Sequence, residues 1–358
     1  VTRRALITVQ FCVSIFVVVC TLFMSKQINF VLNQSLGFDK DNLLVVPLRD
    51  SIAFKNQDVL KNELLKDPRI TSITAAADVM GMGVGSGIMF GEGRDGEMVQ
   101  HGGILALFVG DDYLETMGLT LLKGRDFQTG PKADVDGTYI LNESAVKLMG
   151  WSANPLGKKM TFWGGNNPGQ VIGVVNDFNV NALYQGIDPM VIVKGHWDTG
   201  YLQIRLTGDD LPGVIQHVQE KWSQHDASPF EYFFLDQRFN EQYKEDRAQN
   251  QLLSALSTIC IFISLLGLIG LSAFNATQRT KEIGVRKVLG ANVPDIILLL
   301  SRNTLGLVVL SSLLMIPPSW WAVTTRLKTF VYRSPIDYSL YVIVTLLALG
   351  LVGITISF

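Results

Sequence analysis

Hydrophobic and polar positions along this chain fall into two regimes. Ala5 to Met24 is an uncharged apolar run, and Ala248 to Gln278 is another, with Leu252 to Phe274 as its apolar body. Ile296 to Val323 and Leu340 to Phe358 supply a third and a fourth. About 20 helical residues at ~1.5 Å each cross the ~30 Å hydrocarbon core of a bilayer. The pattern therefore predicts four transmembrane helices. The stretch between the first two runs is different, alternating short apolar segments with helical spacing.

In that stretch, Leu43 to Leu48, Thr138 to Leu141, Gln170 to Val175, Met190 to Val193, Tyr201 to Leu206 and Phe230 to Leu235 read as strands. Each is short, rich in apolar or β-branched residues, and bounded by Gly, Pro or Asn. Helices are predicted over Asp58 to Lys66, from an Asn142 cap through Leu148, and over Leu211 to His225. The result is an α+β mixture without repeats. The glycine-rich run from Gly81 to Gly93, with Gly96, Gly102 and Gly103 after it, reads as a mobile loop. It is not a phosphate cradle, because no Gly-Lys-Ser/Thr follows.

Breaker residues say more about the membrane ends. Ala5 to Leu36 and Glu231 to Leu266 contain neither Gly nor Pro. The first helix is thus predicted to run ~18 Å beyond the core, and the second, starting near Asp236, to project ~24 Å before entering it. Met24, Ile28, Leu32 and Leu36, and Leu235, Phe239 and Tyr243, form stripes at i, i+4 spacing. Such stripes either pack as a stalk or belong to two ordinary fraying helices. Pro317 and Pro318 are expected to kink or end the third helix, with Trp320 and Trp321 as interfacial anchors. Gln10 is expected to hydrogen-bond between helices, within the chain or across a dimer, and Arg302 to snorkel.

Charge gives this pattern a direction. The chain's net charge is −2, yet residues 25–250 hold 20 Lys and Arg against 29 Asp and Glu, while the rest hold 10 against 3. Arg3, Arg4, Arg279, Lys281, Arg286 and Lys287 mark the cytoplasmic side, which places the acidic stretch outside. Arg326, Lys328 and Arg333, before the fourth helix, run against this rule. A secretory signal is the alternative for the first run, but it exceeds the ~7–15 residues of a signal core and no small-residue cleavage site follows. Cys12, Cys20 and Cys260 all lie in apolar runs, which excludes a disulfide scaffold.

Catalytic constellations are missing from the sequence. His101, His196, His217 and His225 are scattered, and His217 and His225 are expected to be solvated on a surface helix. Asp111-Asp112 and Asp209-Asp210 read as solvent-facing loop acids rather than catalytic carboxylates. There is no G-x-S-x-G and no Walker loop, so ATP hydrolysis is expected elsewhere.

The most distinctive segment lies between the second and third helices. Val285, Val288 and Leu289 share a helical face ringed by Arg279, Lys281, Glu282, Arg286 and Lys287, and Gly290 offers a stop. Such a helix can dock in a partner groove or simply anchor topology at lipid headgroups.

Arg279 to Gly290, RTKEIGVRKVLG, resembles the cytoplasmic signature of FtsX/MacB-type ABC transporter permeases. Gly124-Arg125-Asp126-Phe127, Leu141-Asn142-Glu143-Ser144-Ala145, Asn154-Pro155-Leu156-Gly157-Lys158, Val171 to Phe178 and Phe330-Val331-Tyr332-Arg333 are similar to further family segments in the same order. The resemblance implies a membrane subunit that transmits ATPase-driven movement to an extracytoplasmic domain for efflux, lipoprotein release or cell-wall regulation. Arg279, Lys281, Glu282, Ile283, Gly284, Val285, Arg286, Lys287, Val288, Leu289 and Gly290 would then meet the ATPase. The partners implied are a cytoplasmic ABC ATPase, a homodimeric or second permease half, the bilayer of a bacterial inner membrane and a periplasmic adaptor, with no nucleic acid. No cofactor is expected on this chain, since ATP is used by the partner.

The layout implied is 1–36 for the first transmembrane helix and stalk, 37–235 for a porter-like α+β domain with an inserted subdomain at 138–189, and 236–274 for the second stalk and helix. A coupling loop at 275–295, a helix at 296–323, an outer loop at 324–339 and a helix at 340–358 complete it. Gln10-Phe11 and Gly37-Phe38-Asp39-Lys40 resemble the second half of long duplicated permeases, and the apolar ending at Phe358 is expected to be a truncated helix. A membrane-anchored extracytoplasmic sensor is the alternative of a different class.

Overall fold

A computed structural model describes residues 2–357 except 49–50, 94, 129–136, 163–167, 182, 184–185, 196–199, 209, 227, 279 and 290–292. Side chains are further left undescribed at 2–4, 51–56, 271, 275–276, 283, 287, 293–301, 303 and 356–357. The chain begins with α1 (Thr2–Leu32), β1 (Leu43–Pro47), α2 (Ser51–Leu64), β2 (Ile70–Ala76), β3 (Ser86–Glu92) and β4 (Met98–Val109). There follow α3 (Tyr113–Met117), β5 (Leu121–Gly124), β6 (Thr138–Asn142), α4 (Glu143–Leu148), β7 (Lys159–Phe162), β8 (Gly169–Val175) and β9 (Met190–Lys194). Then come β10 (Tyr201–Leu206), α5 (Leu211–His225), β11 (Phe233–Phe234) and α6 (Leu235–Glu241). The last four helices are α7 (Lys244–Gln278), α8 (Thr280–Val288), α9 (Val293–Leu327) and α10 (Ser339–Ser357).

Two compact units result, one of residues 1–33 with 244–358 and one of residues 34–243. In the second unit, β1, β10 and β2 pair antiparallel, with β11 at the edge of β1. Leu44, Val46, Ile73, Leu202 and Ile204 from these strands pack under α2 and α5. The α5 helix fits because Val214, Val218 and Trp222 recur every four residues on its buried face, each contributing about 1.5–3 kcal/mol by burial.

A second core sits on strands whose pairings close on themselves. The β4 strand pairs with β3 and β9, β3 with β7, β7 with β8, β8 with β6, and β6 with β9. Met89, Ile104, Leu141, Met160, Val174 and Val191 from this ring form one buried cluster with Trp151 and Met149. This core draws on β3, β4 and β9 as well as on the 138–189 expected from sequence, because the ring cannot close without them.

Several sequence expectations are corrected. The glycine-rich run is a loop only over 81–85 and in the turn between the strands; from Ser86 it forms the β3 and β4 ladder. At Gly91 an added Cβ would lie 2.9 Å from the Trp151 ring, so glycine there is a packing requirement, not a sign of mobility. Phe230 to Leu235 yields only the two-residue β11, since Phe230 and Tyr232 stack with each other at 5.4 Å and Phe230 with Trp222 at 6.0 Å.

The first helix ends at Leu32, not Leu36: Asn33 folds its amide back on the Asn29 carbonyl and Ser35 accepts the Gly37 N–H. The second helix breaks between Glu241 and Lys244 although no Gly or Pro is present. There the Tyr243 hydroxyl accepts the Leu183 N–H at 2.8 Å and the Gln242 amide donates to the Gly81 carbonyl at 2.6 Å. Leu235, Phe239 and Tyr243 are accordingly buried in the 34–243 unit rather than on a stalk.

In the other unit, α9 runs through Pro317 and Pro318 to Leu327 instead of ending there. The Ser319 hydroxyl donates to the carbonyls of Met315 and Ile316, folding back on the helix beside the proline pair. Among the described residues, three helical segments, Ala5–Leu32, Lys244–Phe274 and Thr304–Leu327, are long and apolar enough to cross a membrane. Ser339–Thr355 is a shorter apolar helix.

Candidate functional site

The loop helix α8 presents its apolar face to solvent. Val285 is 60%, Leu289 79% and Val288 88% exposed, an expensive arrangement for three large apolar side chains that nothing in the chain covers among the described residues. Its polar side is ordered by an Arg286–Glu282 pair at 2.9 Å, one turn apart, worth about 0.3–0.5 kcal/mol to the helix. Thr280 caps back onto the Thr277 carbonyl, and Leu289 N–H extends the ladder to Val285. No atom lies within 4 Å of where a Gly284 Cβ would stand. Arg279 and Gly290 lie outside the described residues, as do the side chains of Ile283 and Lys287.

Within the same unit, α1 and α7 are joined by a ladder of polar contacts that sequence reading did not find. Ser14 and Ser264 hydroxyls meet at 2.8 Å, Thr21 and Ser257 at 2.8 Å, and Ser25 meets the Asn250 amide at 3.1 Å. Successive members on each helix are seven or fewer residues apart and descend on α7 as they ascend on α1, the register of an antiparallel coiled coil. Interhelical hydroxyl bonds of this kind average about 0.6 kcal/mol in membranes. Gln10 lies against Gly267 of the same chain, where a Cβ would approach its Oε1 to 2.8 Å. Spacing of serines and threonines seven apart was the available signal.

One end of this ladder holds the segment between α9 and α10. Gln27 is fully buried; its amide donates to the Tyr332 carbonyl at 2.8 Å and accepts the Ser334 N–H at 2.8 Å. Beside it, Lys26 pairs with Asp337 at 2.8 Å, and this ammonium together with Ser339 holds the Asp337 carboxyl down to about 2. The Phe330-Val331-Tyr332-Arg333 segment is thus clamped to α1 through its backbone.

In the 34–243 unit the remaining segments singled out in the sequence build one junction. Asn142 caps α4 by accepting the Ala145 N–H, accepts the Met190 N–H as well, and donates to the Asp188 carbonyl, each at 2.9 Å. Asp177 accepts from the Ser144 N–H and hydroxyl at 2.8 Å. Asn176 donates to the Gly37 carbonyl at 2.8 Å, and Phe38 packs on Phe239 at 5.6 Å. Gly124 has φ +78° and sits against the Ile172 carbonyl where a Cβ would clash. These residues order strands and loops. Burial pushes the Tyr243 phenol above its ordinary value.

One histidine differs from expectation, while the acids Asp111, Asp112 and Asp210 face solvent as expected, each in an ion pair. His225 is not simply solvated: its Nε2 faces Glu63 at 3.2 Å with the imidazole 19% exposed. Asp111 pairs with Lys194 at 2.7 Å, Asp112 with Lys61 at 2.8 Å and Asp210 with Arg69 at 2.6 Å. His196 and Asp209 lie outside the described residues. Among the described residues no cluster of three His, Cys, Asp or Glu is placed to hold a metal.

Comparison with known proteins complements this geometry. A family model described as MacB-like periplasmic core domain matches residues 6–227, and one described as FtsX-like permease C-terminal matches residues 254–358. The macrolide export ATP-binding/permease protein MacB of Aggregatibacter actinomycetemcomitans is 25% identical over 199 residues, 53% of this chain and 31% of that protein. MacB 2 of Yersinia pestis is 27% identical over 199 residues, 52% of this chain and 29% of that protein. The chain thus spans under a third of the length of these relatives. The periplasmic region of MacB from Actinobacillus actinomycetemcomitans aligns with a TM-score of 0.40 and 21% identity, over 60% of this chain and 97% of that one.

Proposed function

Because the chain belongs to the FtsX/MacB-like family of ABC transporter permeases, we propose that it relays the movement of a cytoplasmic ATPase to its extracytoplasmic 34–243 unit. The observation that carries this reading is the exposed apolar face of α8, Val285, Val288 and Leu289, flanked by Lys281 and Arg286. A short helix with that face is suited to a groove on a partner, and its residues from Arg279 to Gly290 are assigned to the ATPase contact. The α1/α7 ladder then lets two helices move as one lever, with α10 as the fourth crossing and α9 as the third. ATP chemistry belongs to the partner, and this chain carries no cofactor of its own. The names of its relatives favour export over lipoprotein release or cell-wall regulation as the task. Residues 138–189 are assigned to a subdomain inserted in the porter-like part, and the large unit faces outward from a bacterial inner membrane. A second permease half and a periplasmic adaptor complete the assembly.

Val288→Asp and Glu282→Arg test the assignment. Burying a valine at a partner surface contributes about 1.5–3 kcal/mol, so Val288→Asp is expected to lower ATPase affinity at least ~10-fold. Co-purification of the ATPase with detergent-solubilised permease should be lost while membrane insertion is intact. Undiminished co-purification and transport by both variants would sink the proposal.

A further inference from the structure

Arg326, near the C-terminal end of α9, goes unused by the function above and lines a groove. Within the 1–33 and 244–358 unit, Phe16, Cys20, Phe23, Leu253, Val323 and Leu327 of α1, α7 and α9 line an apolar cleft of about 300 Å³, with Gln249 and Arg326 among its lining residues. Arg326 donates to Asp246 and Gln249, both at 3.3 Å and both from Nη2. Its guanidinium also lies 6.0 Å from the centre of the Phe330 ring. Among the described hydrogen bonds, Nε and Nη1 of Arg326 carry none, and Lys328 is exposed. A guanidinium with free donors suits a phosphate.

We propose that this cleft holds an acyl chain of an anionic membrane phospholipid, with the lipid phosphate on Arg326 and Lys328. Charge complementarity selects the occupant: a largely apolar wall accepts hydrocarbon, and Arg326 in its lining, with the exposed Lys328 two residues on, fixes the headgroup at the level where Trp320 and Trp321 are exposed as interfacial anchors. A free phosphate would leave the apolar wall empty. The placement also accounts for Arg326 and Lys328 on a side where the positive-inside rule disfavours them. It rests on the membrane orientation assigned above.

The test uses full-length permease in nanodiscs made of equal parts phosphatidylglycerol and phosphatidylcholine, with retained lipid counted by native mass spectrometry after release. Wild type should retain phosphatidylglycerol preferentially. Leu253→Trp, which fills the cleft, should cut the retained lipid about 10-fold, and Arg326→Gln with Lys328→Gln should abolish the preference for the anionic lipid. ATPase co-purification, read on the same samples, should stay normal in both, which separates this inference from the coupling assignment. Unchanged lipid retention in Leu253→Trp overturns the proposal, as does an unchanged preference in the double variant. So does a changed oligomeric state with unchanged lipid, which would give the cleft to a second copy. Displacement of the lipid by inorganic phosphate alone overturns it as well. If Leu253→Trp fails to fold, the charge variant decides.

Discussion

Replacing Gln27 by leucine probes how the segment before α10 is held. The substitution conserves volume and removes both amide bonds, so packing changes little and the polar loss dominates. Ser334 is 3% exposed and its N–H would lose an acceptor at a site closed to water, which costs about 1–3 kcal/mol. The Tyr332 carbonyl lies at a half-buried residue and can be partly rehydrated, which adds about 1 kcal/mol for the lost bond. A loss of about 2–4 kcal/mol is therefore expected. Ser25→Ala is the matched control, because its bond to Asn250 is of the kind that averages about 0.6 kcal/mol in membranes. Steric trapping of purified protein in bicelles measures both. If Gln27→Leu falls within about 0.5 kcal/mol of wild type, or below Ser25→Ala, the clamp contributes nothing and the reasoning fails.

Two further predictions concern the 34–243 unit. Asn142→Ala removes the α4 cap and strands the Ala145 and Met190 N–H groups, so a loss of about 2–4 kcal/mol is expected, measured by thermal unfolding of the full chain; a loss under about 1 kcal/mol would contradict the three-bond assignment. The Asp67 carboxyl is held at about 2, first by its hydrogen bonds from Arg69, below an ordinary aspartate value of ~4. Being depressed, it contributes stability that is complete above that ordinary value and lost as pH falls through the folded value. Melting temperature should drop between about pH 4 and pH 2 in wild type and drop less in Asp67→Asn, and parallel curves would refute the pairing.

Hydropathy made the apolar segments legible, since a bilayer demands ~20 apolar residues whatever they pack against. Some strands were equally legible, with β6, β8, β9 and β10 within a residue of expectation, whereas β2, β5 and β7 were not read. The α4 cap followed from one side chain's chemistry. The β3/β4 ladder was hidden because Gly87 and Gly91 answer to Phe162 and Trp151, residues remote in sequence. The α6/α7 break was hidden because Tyr243 and Gln242 bond to Leu183 and Gly81, and such tertiary bonds override helix propensity.

For the candidate site the division is similar. Spacing alone put Val285, Val288 and Leu289 on one face. Their exposure could come only from the structure, because a periodic apolar stripe looks the same in sequence whether a neighbour covers it or not. The ladder of Ser14, Thr21 and Ser25 on Ser264, Ser257 and Asn250, and the Gln27 clamp, were likewise decided by tertiary structure. A hydroxyl or amide in an apolar helix needs a partner, and the sequence shows the need without showing who meets it.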